Sequence, residues 1–390
     1  MILSLDPTST LPADATAGTL VGRVWRPELG GPSVVVIRAD GVFDISRSYP
    51  TVRDLCEAPD PAAAVAGAHA DRFADLAALL GNTEDARDPN KPFLLAPIDL
   101  QAIKAAGVTF AISLLERVIE EQARGAPERA VQARADVEKA LGGAVEKIKP
   151  GSPQAMELKK LLQEKGLWSQ YLEVGIGPDA EIFTKAPPMA AVGTGAAIGV
   201  LKSSTWNNPE PEVVVVVNSR GEIVGATLGN DVNLRDLEGR SALLLGKSKD
   251  NNASTAIGPF IRLFDQTFSL DDVRRTRVAL TVKGADGFVL DGSSDLGKIS
   301  RDPADLVAQM IGPHHQYPDG AVLFLGTMFA PVKDRDAPGM GFTHHAGDVV
   351  TIAADTLGAL TNVVTTCDQA PPWTFGTAQL MRNLAKRALL

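Results

Sequence analysis

The chain has 390 residues, 45% apolar and 22% charged, with a formal net charge of -9; that length and apolar content suit one large domain plus a smaller one, or two comparable domains. The acidic balance excludes broad binding to nucleic acid or to anionic membrane surfaces, while leaving room for a local basic pocket around a small anion. No window approaches about 18 consecutive apolar residues, the N-terminus MILSLDPTSTLP lacks a basic segment ahead of an apolar core, and the two cysteines, Cys56 and Cys367, lack CxxC spacing and read as structural. A soluble cytoplasmic protein is expected, with small molecules and copies of itself as partners, and neither nucleic acid nor membrane.

Residues 1–90 alternate β-branched runs (TLVGRVW, SVVVIRA, GVFDIS) with Gly/Pro turns, then become alanine-rich and helical from Pro61 to Leu80. This pattern predicts a small α+β domain, closed by the polar, turn-rich segment 81–92. A strand-like FLLAP opens the larger domain, 91–390. Three helical patterns follow, at 109–124, about 127–146 and 152–166; Ser152 is placed to cap the last and Gly166 to end it. The charges of the two later helices predict solvated surface packing. From about residue 170 strands dominate without a βαβ rhythm, so the expected fold is α+β, a β-rich mixed sandwich or roll.

The stretch NNPEPEVVVVVNSRGEIVGATLGNDVNLRD, 207–236, carries the clearest chemistry. NSRG at 218–221 is a tight-turn sequence, predicting an antiparallel hairpin of Val213–Val217 with Glu222–Gly229. If Val217 faces Glu222, Glu212 lies opposite Thr227 and Asp231 lies opposite Asn208, one diagonal step from Glu210. Side chains alternate along strands, so Glu210, Glu212 and Asp231 share a face at the open end of the hairpin. Carboxylates within roughly 5–8 Å repel wherever water is scarce, unless solvated, protonated or bridged by a cation. Oxygen-only ligands select a hard ion, Mg²⁺ first, with Mn²⁺ or Ca²⁺ as substitutes; a solvated hairpin end is the competing reading.

PEPE at 209–212 and NDVNLRD at 230–236 resemble the hairpin signature of the fumarylacetoacetate hydrolase superfamily, and the similarity continues through GKSKDNNASTAIGP at 246–259, YPDGAVLFLGT at 317–327 and HHAGDVVTIAADTLGALTNVV at 344–364. The resemblance implies Mg²⁺ ligands at Glu210, Glu212 and Asp231, a catalytic cation at Lys247, a substrate or supporting role for Arg235, and a substrate-carboxylate contact at Thr327. It further implies a β-rich fold with a short lid helix and a homodimeric or higher homo-oligomeric assembly.

Hydrolases of this family carry a His and a Glu on the lid helix. The aligned stretch here, Thr109–Glu116, keeps Glu116 but has Ser113 in place of the histidine. Helical spacing sets Ser113, Glu116, Arg117 and Glu120 on one polar stripe, which on a bland reading is simply a solvated face. Without the histidine, water activation loses its usual base, whereas Glu116 still offers a proton shuttle. The resemblance then points to the sugar-acid dehydratase branch and a 2-keto-3-deoxy-D-pentonate substrate. Chelation of the 2-keto acid by Mg²⁺ would acidify the C3 protons, Glu116 would remove one, Lys247 would stabilise the enolate, and hydroxide would leave C4 on the way to 2,5-dioxopentanoate. Ser113, Arg117 and Lys185, the last in FTKAP, are further substrate-binding candidates. The competing activity is Mg²⁺-dependent C–C hydrolysis of a diketo acid, with His344 or His345 supplying the base; a non-catalytic small-acid binder is the third reading.

GTGAAIG at 193–199 imitates a nucleotide loop but precedes no helix, so a tight bend lining the pocket is expected and no nucleotide cofactor. His314–His315 and His344–His345 are unsuited to a shared metal site, because adjacent strand residues point opposite ways.

Overall fold

The computed structural model describes residues 3–84, 87–141, 148–164 and 168–390. Its centre is the valine run. Val213, Val215 and Val217 enter one hydrophobic core and Val214 and Val216 another, so the strand is apolar on both faces because both are covered.

Eighteen strands are present among the described residues: β1 Leu20–Arg26, β2 Gly31–Arg38, β3 Gly41–Asp44, β4 Asp71–Ala74, β5 Phe93–Leu95, β6 Ala102–Gly107, β7 Glu181–Ala186, β8 Ala197–Val200, β9 Asn207–Asn208, β10 Pro211–Val217, β11 Ile223–Asp231, β12 Asn233–Leu234, β13 Thr255–Leu263, β14 Arg277–Lys283, β15 Val289–Asp295, β16 Ala321–Phe324, β17 Val349–Ala354 and β18 Gly358–Thr366. Eleven form a mixed sheet in the order β4-β3-β2-β1-β13-β11-β10-β16-β6-β7, with β5 also on β1; five more form β15-β14-β17-β18-β8. The β16–β6 and β18–β8 pairs are parallel and the others antiparallel. The main core lies between these sheets, uniting Val213 and Val215 with Leu280, Ile352 and Leu360. This is the expected β-rich α+β architecture. Among the described residues no helix is long and apolar enough to cross a membrane.

The N-terminal unit does not keep its strands to itself. Leu20 and Val21 of β1 pair with Arg262 and Ile261 of β13, and Val21, Val36 and Leu55 share a core with Val214 and Ile257. The expected boundary at 81–92 falls between β4 and β5, which belong to one sheet. The alanine-rich run is also interrupted: helices Pro61–Gly67 and Leu76–Leu80 flank β4, which pairs with β3.

Three helices match the expected patterns, at Ala111–Ala123, Pro127–Leu141 and Pro153–Glu164. Ser152 Oγ accepts from Ala155 N–H as a cap, whereas Gly166 lies outside the described residues. Helix Gln170–Ile176, capped by Ser169, stands where strands were expected. Its Leu172 and Ile176 pack with Leu114, Val118, Ala133 and Leu162 into a separate core, so the later helices carry apolar faces as well as solvated ones.

Candidate active site

The β10–β11 hairpin has a different register from the one predicted. Glu212 pairs with Gly229 and Val217 with Ile223, with a bulge at Val216/Val217. Residues 218–222 form a five-residue loop closed by Asn218 N–H donating to Glu222 O at 3.0 Å. The longer loop and the bulge together shift pairing by two residues, which preserves the side-chain face. Asp231 consequently lies beside Glu210 itself, its N–H donating to Glu210 O at 3.2 Å. One carboxylate oxygen from each of Glu210, Glu212 and Asp231 lies within 4.8 Å of the others. All three residues are buried, at 8%, 3% and 2% exposure, which removes the solvated-hairpin reading.

Cations surround this group unevenly. Lys185 Nζ of β7 lies 2.9 Å from Asp231 Oδ1, and Lys249 Nζ lies 3.1 Å from Glu210 and Asp231 and 3.2 Å from Glu238. Burial favours the neutral form of Asp231, but the ammonium groups of Lys185 and Lys249 outweigh it and hold its carboxyl below the usual range. Among the described residues Glu212 receives only the Gly326 N–H, at 2.6 Å; burial, then the charges of Asp231 and Glu210, push its carboxyl well above the usual range. Burial also raises Glu210, against Lys249 and Arg117. Among the described residues Asp231 Oδ1 receives no well-directed hydrogen bond despite its two ammonium neighbours. A compact hard cation would satisfy this oxygen and relieve Glu212, so the donor set fits Mg²⁺.

Ser113 sits in the first turn of helix Ala111–Ala123; its Oγ accepts from Phe110 N–H at 3.2 Å and donates to Phe110 O at 2.9 Å. The stripe predicted on this helix faces inward, with Glu116 and Glu120 buried. Both Glu116 oxygens are held by Arg134, and Oε2 also accepts from Arg235 Nη2 at 3.2 Å. Glu120 binds Arg235 Nε at 2.7 Å and Arg117 Nη1 at 2.8 Å, while Arg117 continues to Glu210 and Glu238, each at 2.8 Å. Arg235 is further fixed over the Trp206 ring, 4.2 Å from its centroid.

Ser113, Glu116, Arg117, Arg235 and Thr327 therefore line one pocket with Glu210, Glu212 and Asp231. Lys185 is fully buried behind Asp231, donating also to Lys249 O at 2.9 Å, and is absent from the pocket wall. Lys247 is exposed; the lysine in the pocket is Lys249. Both belong to helix Leu245–Lys249, where a spacing of two points side chains to nearly opposite sides. Packing of Ser248 and Lys249 chooses the buried side. Glu116, expected as the base, has both oxygens committed to guanidinium donors.

Glu181, at the start of β7, was not singled out by sequence. It lines the same pocket, and among the described residues its carboxylate has neither a hydrogen bond nor an ion pair. Burial raises its carboxyl above the usual range, against the pull of Arg117. No local motif marks it. Glu238 has a weak signal, one helical turn after Arg235 in helix Arg235–Glu238.

Among the described residues no histidine lines the pocket. His344 is buried against Asp348, its Nδ1 3.2 Å from Oδ2, and His345 pairs with Asp336; His314 and His315 are exposed. The 193–199 bend lies outside this pocket too. Gly195 has φ +80°, and Gly193 packs so closely on the Leu95 backbone that a side chain there would collide.

Residues 172–365 match the family described as "Fumarylacetoacetate (FAA) hydrolase C-terminal". A relative named "Probable 2-keto-3-deoxyxylonate dehydratase" from Haloferax volcanii is 30% identical over 288 residues, spanning 73% of this chain and 80% of the relative. A "2-dehydro-3-deoxy-D-arabinonate dehydratase" from Saccharolobus solfataricus is 34% identical over 183 residues, 46% of this chain and 57% of the relative. The solved structure of a "2-keto-3-deoxy-D-arabinonate dehydratase complexed with magnesium and 2,5-dioxopentanoate" has a TM-score of 0.61 at 23% identity, covering 89% of this chain and 99% of that one. The chain belongs to the fumarylacetoacetate hydrolase family.

Proposed function

We propose that the protein is a Mg²⁺-dependent hydro-lyase that dehydrates a 2-keto-3-deoxy sugar acid, with 2-keto-3-deoxy-D-pentonate as substrate and 2,5-dioxopentanoate as product. The observation that carries this reading is the half-buried Glu181 carboxylate, with no hydrogen bond or ion pair among the described residues, in the pocket of a carboxylate triad whose described lining holds no histidine. The names of the two relatives and of the ligand-bound structure support it.

Glu210, Glu212 and Asp231 would hold the metal. Bound there, Mg²⁺ supplies Lewis-acid polarisation of a 2-keto acid, which acidifies the carbon next to the carbonyl. Glu181 accepts the C3 proton, since no guanidinium must be released first and burial raises its proton affinity above that of a free carboxyl. The ammonium of Lys249, braced by three carboxylates, stabilises negative charge developing on the substrate oxygen. Protonated Glu181 then returns its proton as the C4 hydroxide leaves as water; a proton moving from C5 to C3 shifts the resulting double bond to C4–C5, and that enol tautomerises to 2,5-dioxopentanoate. Glu116 and Glu120 hold Arg235 and Arg117 in place and carry no proton in this scheme.

The test is incubation with Mg²⁺ and either 2-keto-3-deoxy-D-pentonate or an acylpyruvate, beside chelated controls, with products identified by mass. Loss of one water from the sugar acid, abolished by chelation, is expected. Cleavage of the acylpyruvate with the sugar acid untouched would replace this reading by the hydrolase.

A further inference from the structure

Glu210 carries a cation on each oxygen: Oε1 accepts from Arg117 Nη2 at 2.8 Å and Oε2 from Lys249 Nζ at 3.1 Å. The two cations are anchored differently. Lys249 is buried at the end of its helix and also lies beside Asp231 and Glu238. Arg117 reaches in from helix Ala111–Ala123, and its guanidinium meets Glu120 and Glu238 as well, at 2.8 Å each. One guanidinium thus serves three carboxylates, and releasing Glu210 would leave two of its ion pairs intact. A divalent ion and a guanidinium sharing one buried carboxylate repel each other with little water to screen them.

We propose that Arg117 is a built-in competitor for Glu210 that sets the affinity of the site for Mg²⁺, with Glu120 and Glu238 keeping the guanidinium when the metal takes Glu210. This rests on the reading that the triad holds Mg²⁺. It predicts that removing a buried arginine tightens metal binding, the opposite of what loosening of the fold would do.

The experiment is calorimetric titration of Mg²⁺ into the full-length protein, Arg117→Met and the double variant Arg117→Met/Glu120→Gln. The double variant removes a cation together with an anion, leaving the cluster's net charge unchanged, so that tightening in it reports competition and not a general change of potential. Both variants are expected to bind Mg²⁺ about tenfold more tightly, opposite in sign to the loss of affinity that follows removal of a group supporting a metal ligand. Circular dichroism before titration verifies the fold. A wild-type protein that takes up no Mg²⁺ refutes the metal reading on which the proposal depends. Uptake by the wild type with equal or weaker binding by the folded double variant overturns the competitor role and leaves the metal reading intact. Should these variants fail to fold, Arg117→Lys decides: its shorter, unforked side chain relinquishes Glu210 more readily, so tighter binding supports the proposal and equal or weaker binding overturns it.

Discussion

Exchanging Glu181 for glutamine preserves side-chain size and removes the group assigned to proton transfer. A positioned general base contributes roughly 10²–10⁴-fold to rate, so kcat should fall at least about 100-fold, or about 2.7 kcal/mol of barrier. Stability should move the other way. Burial raises the Glu181 carboxyl, so the folded state binds this proton more readily than the unfolded chain does, and ionising the group as pH rises through the folded value opposes folding. Near neutral pH, Glu181→Gln should therefore melt no lower than the wild type. Glu116→Gln offers the contrast, because it weakens the partner of Arg134 and Arg235 and should lower the melting temperature. The assay combines product formation from 2-keto-3-deoxy-D-pentonate at saturating Mg²⁺ with thermal unfolding of both variants. A Glu181→Gln enzyme retaining turnover within about threefold of wild type, well short of the loss expected for a general base, would refute the assignment.

Lys249→Met should lose turnover and, by leaving buried carboxylates uncompensated, cost about 3–5 kcal/mol in denaturant unfolding, whereas the exposed Lys247→Ala should stay within about 0.5 kcal/mol with turnover unchanged; the reverse pattern would return the role to Lys247. Mg²⁺ affinity should rise with pH. Glu212 and Glu210 hold their protons to higher pH than free carboxyls do, protons compete with the ion, and affinity levels off once both ionise; calorimetry across a pH series would show it, and a flat profile would contradict these shifts. Gly229 faces Glu212, and a Cβ there would collide with Phe324 and Val214. Gly229→Ala should cost about 1–3 kcal/mol in denaturant unfolding and weaken Mg²⁺ binding, and a fully stable variant would show that the strand can shift freely.

The carboxylate triad was legible in the sequence because strand side chains alternate with period two. The hairpin register differs from the predicted one by two residues, yet Glu210, Glu212 and Asp231 still share a face, since a shift of two preserves parity where a shift of one would not. The polar stripe Ser113–Glu116–Arg117–Glu120 was legible for the same kind of reason, from helical period alone; that it faces inward was not, because burial depends on what packs over it. Tertiary structure decided which cations and carboxylates meet. Arg235 reaches Glu116 and Glu120 across more than a hundred residues of chain, and those pairings, with Arg134, commit the Glu116 oxygens to guanidinium donors. Glu181 enters the pocket because β7 pairs with β6 at the sheet edge, and Lys249, not Lys247, lines it because packing selects one side of a short helix. The N-terminal strands likewise join the large sheet through the β1–β13 pairing. Local periodicity determines which residues share a face, whereas the partners of that face are set by contacts distant in sequence, and at this site those contacts control the charge and availability of every functional group.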